Sequence, residues 1–250
     1  MGSRTLQNSS LSGKLVKLGI IVALSEELKS LSNQTIESGS SLKLKNDITL
    51  FLSGAGPERA GEAATQLVEQ GVSALLSWGC AAGLTSELEA GSLLLPEQIQ
   101  SESGIVLPVD RDWHNRLYPL LSDKLHTRKD CLLERSEIIA DPKEKKLLYE
   151  KSRALAVDME SAAIAKVAHK HKLIFLAVRA IVDTSNRRIP QSILNSLDTG
   201  GQVRRLSLIR QVMLHPLDCI TLVQLGHQFS VAKKTLKKVA TISPNNFLCQ

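Results

Sequence analysis

Residues 156–186 read AVDMESAAIAKVAHKHKLIFLAVRAIVDTSN. The first half has helical periodicity. On a wheel of 3.6 residues per turn Glu160 lines up with Ala163, Ile164, Val167 and Ala168, while Lys166, His169 and Lys170 take the opposite side. The second half is an apolar, β-branched run suited to a buried strand, and its last apolar pair, Ile181-Val182, runs straight into Asp183. Ligands of open α/β sheets sit outside the carboxyl ends of the strands. One carboxylate heads the inward stripe of the helix and another ends the strand, so Glu160 and Asp183 are the first candidates for a site.

The segments toward the N-terminus repeat this strand-then-helix pattern. Leu18–Leu24 is a short apolar run that predicts a buried first strand, and Ser25 is placed to cap a helix opening with Glu26-Glu27-Leu28. Those glutamates suit a first helical turn on dipole grounds alone. Ile48–Leu52 predicts a second strand. Ser53-Gly-Ala-Gly-Pro-Glu-Arg59 follows it, then an Ala-rich helix to about Gln70. Two glycines and a proline let the backbone bend and bring amide groups close to a ligand, and Arg59 in the first helical turn suits an anion such as phosphate. A plain turn fits that stretch equally well. Ala74–Trp78 predicts a third strand, followed by the small residues Gly79-Cys-Ala-Ala-Gly83, which admit either a tightly packed neighbour or a ligand.

Leu93–Leu95 and Ile105–Leu107 read as further short strands, 111–125 as an ambiguous helix, and Asp141-Pro142-Lys143-Glu144 as a helix start. Beyond Asn186 come a polar loop, Gly200-Gly201, and two helices at about 203–214 and 217–238, separated at His215-Pro216. Alternating strands and helices predict an α/β three-layer sandwich with a central mixed sheet flanked by helices. The expected organisation is a disordered lead-in over 1–15, one domain over 16–200, and a basic helical extension over 201–250 packed on that domain.

Composition narrows the function classes. The chain has 250 residues, 43% hydrophobic and 22% charged, ordinary for a globular protein, and its apolar runs fall short of the roughly 18 residues of a membrane span. The polar, Ser-rich N-terminus does not read as a secretory signal. Cys80, Cys131, Cys219 and Cys249 are far apart and form no CxxC pair, so neither a zinc site nor a disulfide framework is predicted, and a cytoplasmic setting follows. The net charge of +6 lies wholly in the tail, where seven basic residues from Arg204 to Lys238 face one acid, Asp218. A neutral body with a basic tail excludes a DNA-binding core and points to an anionic surface met by the tail, although two solvated helices account for it too.

Four blocks now stand in order across residues 18–185: GIIVALSEEL, LSGAGPERAGEAA, SWGCAAGL and AVDMESAAIAKVA with FLAVRAIVD. Together they resemble the purine nucleoside phosphorylase and nucleosidase superfamily, which includes methylthioadenosine/S-adenosylhomocysteine nucleosidase. The DMES block, the SGAGPERA loop and the basic tail look most like the hopanoid-associated phosphorylases. The resemblance implies cleavage of an N-ribosidic bond through a ribosyl cation, the oxocarbenium problem of glycosidases. It implies Asp183 as the acid that protonates N7 of the departing purine, Glu160 as the grip on the ribose hydroxyls, and Met159 against the sugar face. It further implies Glu27 as the base that takes a proton from attacking water, and Gly54, Gly56, Arg59, Cys80 and Ala81 around the place where phosphate or water attacks.

The favoured substrate on this resemblance is adenosylhopane, with inorganic phosphate as acceptor and no other cofactor or metal. The alternatives are a hydrolytic nucleosidase and a non-catalytic nucleoside-binding or membrane-scaffold protein. Cys80 stands where many relatives carry Ser or Thr, and a thiol is the poorer donor to an anion, which leaves hydrolysis and phosphorolysis both open. Cys80 as nucleophile lacks an evident His partner. His169 and His171 suit a helix C-terminus better than a metal. Arg179 within an apolar strand calls for a buried carboxylate, Trp78 reads as core, and Trp113 is the candidate pocket lid. Homo-oligomerisation, no nucleic-acid partner, and peripheral contact of the basic tail with the inner face of a membrane, through a lipid-linked substrate, complete the expectations.

Overall fold

A computed structural model describes residues 16–44, 47–190 and 218–242. Its centre is β4 (Ala74–Gly83), flanked in parallel by β1 (Leu18–Val22) and β11 (Ile174–Ile181). Outside β1 lie β3 (Ile48–Leu52), parallel, and β2 (Ser40–Lys43), antiparallel at the edge. Outside β11 come β5 (Leu93–Leu94), antiparallel, and then β8 (Thr127–Arg128). All five residues of β1 and seven of the eight in β11 are buried, as befits strands covered on both faces.

The small residues 79–83 do not end the strand, contrary to the expectation from sequence. They extend β4 by half its length, and their size is what lets it change partners: Ala82 and Gly83 leave β11 and pair antiparallel with β10 (Ala156–Asp158). From β10 a second set of strands continues through β9 (Cys131–Glu134) and β6 (Gln98–Gln100) to β7 (Val106–Pro108). The mixed sheet therefore divides at the end of β4, and the crevice lies there.

Helices cover both sides. Helix α2 (Pro57–Glu69) and α5 (Ser161–Lys170) pack on each other, α2 also on β1 and β3, and α5 on β4 and β11. Gly19 of β1 is a necessity of that packing, because a Cβ there would come within 2.9 Å of Leu67. On α5 the inward residues are Ser161, Ala162, Ile164, Ala165 and Ala168, with Lys166, His169 and Lys170 outward as predicted. The other helices are α1 (Ser25–Leu28), α3 (Arg111–Ser122), α4 (Pro142–Ser152) and α6 (Asp218–Ile242). Helix α6 lies on β4 and β11 and meets α1 and α3. It buries Ala232, Leu236 and Val239, and Thr235 Oγ1 donates to the Gly91 carbonyl at 2.8 Å.

Three local expectations are corrected. Residues 156–158 are strand, not helix, since their apolar side chains pair between β4 and β9 before α5 begins. Ser25 is the first helical residue and Leu24 holds the cap position. Trp113 is no lid: it is fully buried on the inner side of α3, whose N-cap is Asp110, accepting from the Trp113 amide at 2.7 Å. The helix start at Asp141-Pro142 stands, with the Asp141 side chain accepting from the Lys143 amide at 2.8 Å. The expected lead-in over 1–15 and the helix at 203–214 lie outside the described residues. No described helix is long and apolar enough to cross a membrane. Of the basic residues on α6, Lys233 is engaged with Glu26 at 2.6 Å, while Lys234, Lys237 and Lys238 are exposed.

Candidate active site

The cavity at the fork of the sheet is lined by Ile21, Ala23, Glu27, Ser77–Cys80, Glu160, Ile164 and Arg179. Its chemistry comes from strand ends and the residues just beyond them. Glu27 follows β1 by five residues, and the short helix α1 turns its side chain back over the sheet. There Oε1 accepts from the Cys80 amide at 2.8 Å and Oε2 from the Leu24 amide at 3.1 Å. The carboxylate lies directly on Gly79, where a Cβ would be 2.9 Å from Oε1, so residue 79 has to be glycine.

Glu160 reaches the cavity from the turn between β10 and α5, as the N-cap of α5 rather than as part of its stripe. It is buried, with Oε1 accepting from the Gly56 amide at 2.9 Å and Oε2 from the Met159 amide at 3.3 Å. Between the two glutamates sits Arg179 of β11. Its Nε donates to Asp158 Oδ2 at 2.8 Å and its Nη2 to Ser77 Oγ at 2.6 Å. Asp158 is the buried carboxylate that Arg179 required, and it also takes the Ser161 hydroxyl at 2.5 Å.

One guanidinium thus stands among three buried carboxylates, and burial shows in the titration of the two glutamates. Burial, and next the Asp158 charge, push Glu160 up to about 8 against the pull of Arg179. Burial also raises Glu27, opposed first by Arg179 and then by its backbone donors. Glu134, at the end of β9, accepts from the Ala163 amide at 2.7 Å and is pushed up to about 7 by burial. A buried pocket lined by two glutamates suits a cation that develops inside it. Burial and the neighbouring Glu27 hold the Cys80 thiol well above its ordinary range, so it is not a thiolate nucleophile.

The raised acids carry a consequence for stability. An acid whose folded pKa lies above its unfolded value stabilises the fold fully below the unfolded pKa and loses that contribution as pH rises through the folded one. For Glu134 and Glu160 the window runs from about 4.5 to 7 and 8 respectively. The ligand-free protein is therefore expected to melt lower at pH 8 than at pH 5. Each tenfold difference in proton affinity between the folded and unfolded chain is about 1.4 kcal/mol, or roughly 3–6 °C for a chain of this size. Thermal scans of Glu160→Gln should show a shallower slope, and an unchanged slope would contradict the assignment.

Asp183 closes the far side. It follows β11 directly, its carbonyl accepts from the Gly83 amide at 2.8 Å, and the Val182 amide donates to the Ala81 carbonyl at 3.0 Å. It does not line the cavity itself. It stands three residues along the strand from Ala180, the partner of Cys80, a distance of roughly 10 Å at strand rise and comparable with a nucleoside. Its carboxylate pairs with Lys145 Nζ of α4, a partner that no sequence motif names. Burial raises the Asp183 carboxyl and Lys145 opposes the rise.

Of the other sequence candidates, Cys80 lies on β4 at the cavity, Ala81 follows it on β4 without lining the cavity, and Met159 is half-buried beside Glu160. Gly54 and Gly56 form the loop before α2 with φ of 83° and 104°. Arg59 folds back over Gly54, where a Cβ would meet its Nη1 at 2.9 Å, and does not line the cavity. Trp78 is core and cavity wall at once, its Nε1 donating to Ser30 Oγ at 2.9 Å. His169 Nε2 is bonded to the Pro108 carbonyl at 2.9 Å. Among the described residues no group of three His, Cys, Asp or Glu side chains is placed to hold a metal ion.

Comparison with known proteins bears on the family and the fold. A family model described as the phosphorylase superfamily matches residues 17–203. The chain is 25% identical over 234 residues to the 5′-methylthioadenosine/S-adenosylhomocysteine nucleosidase of Shewanella sp. (strain MR-7), covering 81% of this chain and 98% of that protein. It is 25% identical over 204 residues to the enzyme of the same name from Buchnera aphidicola subsp. Baizongia pistaciae, covering 69% and 80%. Among solved structures it is similar in fold to the Helicobacter pylori nucleosidase of that name, complexed with a pyrrolopyrimidinyl-methyl pyrrolidinol compound. That likeness has a TM-score of 0.65 at 17% identity and covers 92% of this chain and 99% of the other.

Proposed function

The chain belongs to the phosphorylase superfamily, and from that premise we propose that it hydrolyses the N-glycosidic bond of an adenosine-type nucleoside and releases adenine. The observation that carries the choice of water over phosphate is where the cavity amides go. The Cys80 and Gly56 N–H groups, which by sequence are available to an anion, are taken by Glu27 Oε1 and Glu160 Oε1. With those amides bonded to the glutamates they are not offered to a phosphate dianion, and the place suits a neutral water.

Each residue then has a task. Glu160, whose carboxyl is pushed up to about 8 by burial, accepts from the ribose hydroxyls, and its ionised form is increasingly favoured as the ring becomes cationic. Glu27 takes the proton of the attacking water, and its raised pKa makes it a stronger base than an exposed glutamate. Arg179 keeps both carboxylates in place through its own anchor, Asp158. Asp183 delivers a proton to the departing base, which leaves far more readily neutral than as an anion. Hydrolysis is the alternative that the sequence leaves open, and Arg59, folded over Gly54, offers phosphate no contact in the cavity. The names of the relatives point the same way, since each is a nucleosidase.

The test is adenine release in phosphate-free buffer from adenosine, 5′-methylthioadenosine and adenosylhopane, with inosine as control. Release from one or more of the adenosines, at least about tenfold faster than from inosine, is expected. Equal cleavage of inosine would overturn the base assignment, and no release from any of them would favour a binding protein. Adenosylhopane, the substrate favoured by the sequence resemblance, enters as the long-chain member of the panel.

A further inference from the structure

Helix α4 is mostly solvent-facing, and the one side chain it buries completely is a lysine. A buried ammonium is costly unless its protons find acceptors. Lys145 Nζ has three: the Asp183 carboxylate, the Thr184 carbonyl at 3.1 Å and the Arg187 carbonyl at 3.3 Å. The two carbonyls belong to the loop that follows the acid, so one ammonium fixes both the acid and its loop. That loop is fastened to the start of α4 again by the Ile189 amide, donating to the Ala140 carbonyl at 3.0 Å.

The other charges nearby are engaged elsewhere. Arg188 pairs with Asp141 at 2.6 Å on the surface, and the Arg187 guanidinium meets Gln224 of α6. Glu27, Asp158, Glu160 and Arg179 form their own cluster across the cavity. Among the described residues Lys145 is the charge that bears on Asp183. A general acid has to hold a proton when substrate arrives; burial favours a protonated Asp183 carboxyl, and the Lys145 ammonium in contact with it opposes that. The contact lets the two groups hold one proton between them.

We infer that Lys145 is the positioning residue of the general acid: its ammonium stores the proton that Asp183 passes to the leaving base. The inference rests on the proposed nucleoside cleavage. As the bond from the sugar to the base breaks, its electron pair goes to the base. A proton moves from Nζ through the Asp183 carboxylate to the base, which departs neutral and leaves Lys145 as an amine. Water adds its oxygen to the anomeric carbon and its proton to Glu27. Glu27 then loses that proton to solvent and Lys145 regains one, which restores the resting state.

The test is kcat against pH from 6 to 10 on whichever adenosine the wild type cleaves, for wild type and Lys145→Met, with circular dichroism to check the fold. A lysine ammonium ordinarily keeps its proton to about pH 10 and a free carboxyl loses it near pH 4. The wild-type alkaline limb is expected above about pH 8, and in Lys145→Met it should move to a pH at least about tenfold lower in alkalinity, with KM within about threefold. A limb that stays put, whatever the loss in rate, would overturn the inference and leave Lys145 as a structural anchor. If the variant does not fold, the wild-type limb decides, and one below about pH 7 overturns it. A wild type with no turnover in the whole substrate panel removes the functional reading beneath it, a failure read separately from the position of any limb.

Discussion

Asp183→Asn should lower kcat by roughly 10²–10⁴-fold, the range for loss of a general acid, while an adenosine-type ligand still binds. Asparagine keeps the shape and one acceptor oxygen but cannot pass on a proton, so adenine would have to leave as an anion. The same change costs stability, because it strips the buried Lys145 ammonium of its counter-charge. Breaking a buried pair from one side costs about 3–5 kcal/mol, and the asparagine oxygen should hold the loss near the lower figure. Adenine formation in a single turnover, with urea denaturation of the same samples, checks both halves. A variant within tenfold of wild-type kcat would contradict the assignment of Asp183, and one that is inactive yet fully stable would contradict the weight given to the Lys145 pair.

Glu27→Gln should be comparably severe in rate, again roughly 10²–10⁴-fold in kcat, for two reasons. Glutamine cannot accept the proton of water. It also cannot accept from both the Leu24 and Cys80 amides as Glu27 does, because its nitrogen would point a donor at one of them. The binding of substrate should change little, since the grip on the sugar is proposed for Glu160 and not for Glu27. A rise in KM with kcat preserved, measured by initial rates, would place Glu27 among the binding groups instead.

Much of this site is legible in the sequence, and what escapes it does so for physical reasons. Asp183 can be found because an apolar strand ending in an acid is a rare pattern at a place where sheets bind ligands. Glu160 reads as an inward acid for a partly mistaken reason: it is the N-cap of α5, carried inward by the turn from β10 and not by the helical stripe. Strand β10 merges into the helix on a sequence reading because three residues are too few to display a period of two. Strands β6, β8 and β9, of two to four residues, escape because they too are short, and Glu134 goes with them. Trp113 is misplaced because an aromatic near a helix start carries no sign of which side it faces. Lys145 hides among the charges of PKEKKLLYEK. It shares a helical face with Asp141, Leu148 and Tyr149, and that lysine-bearing, partly apolar stripe is the one signal available.

The adenine-release assay also bears most directly on the central claim when phosphate is the variable and the sugar product is identified. The account predicts the same rate with and without inorganic phosphate, and a free ribose derivative as the product in both. Release that requires phosphate, with a ribose 1-phosphate as product, would contradict it and would mean that an anion displaces Glu27 and Glu160 from the amides of Cys80 and Gly56.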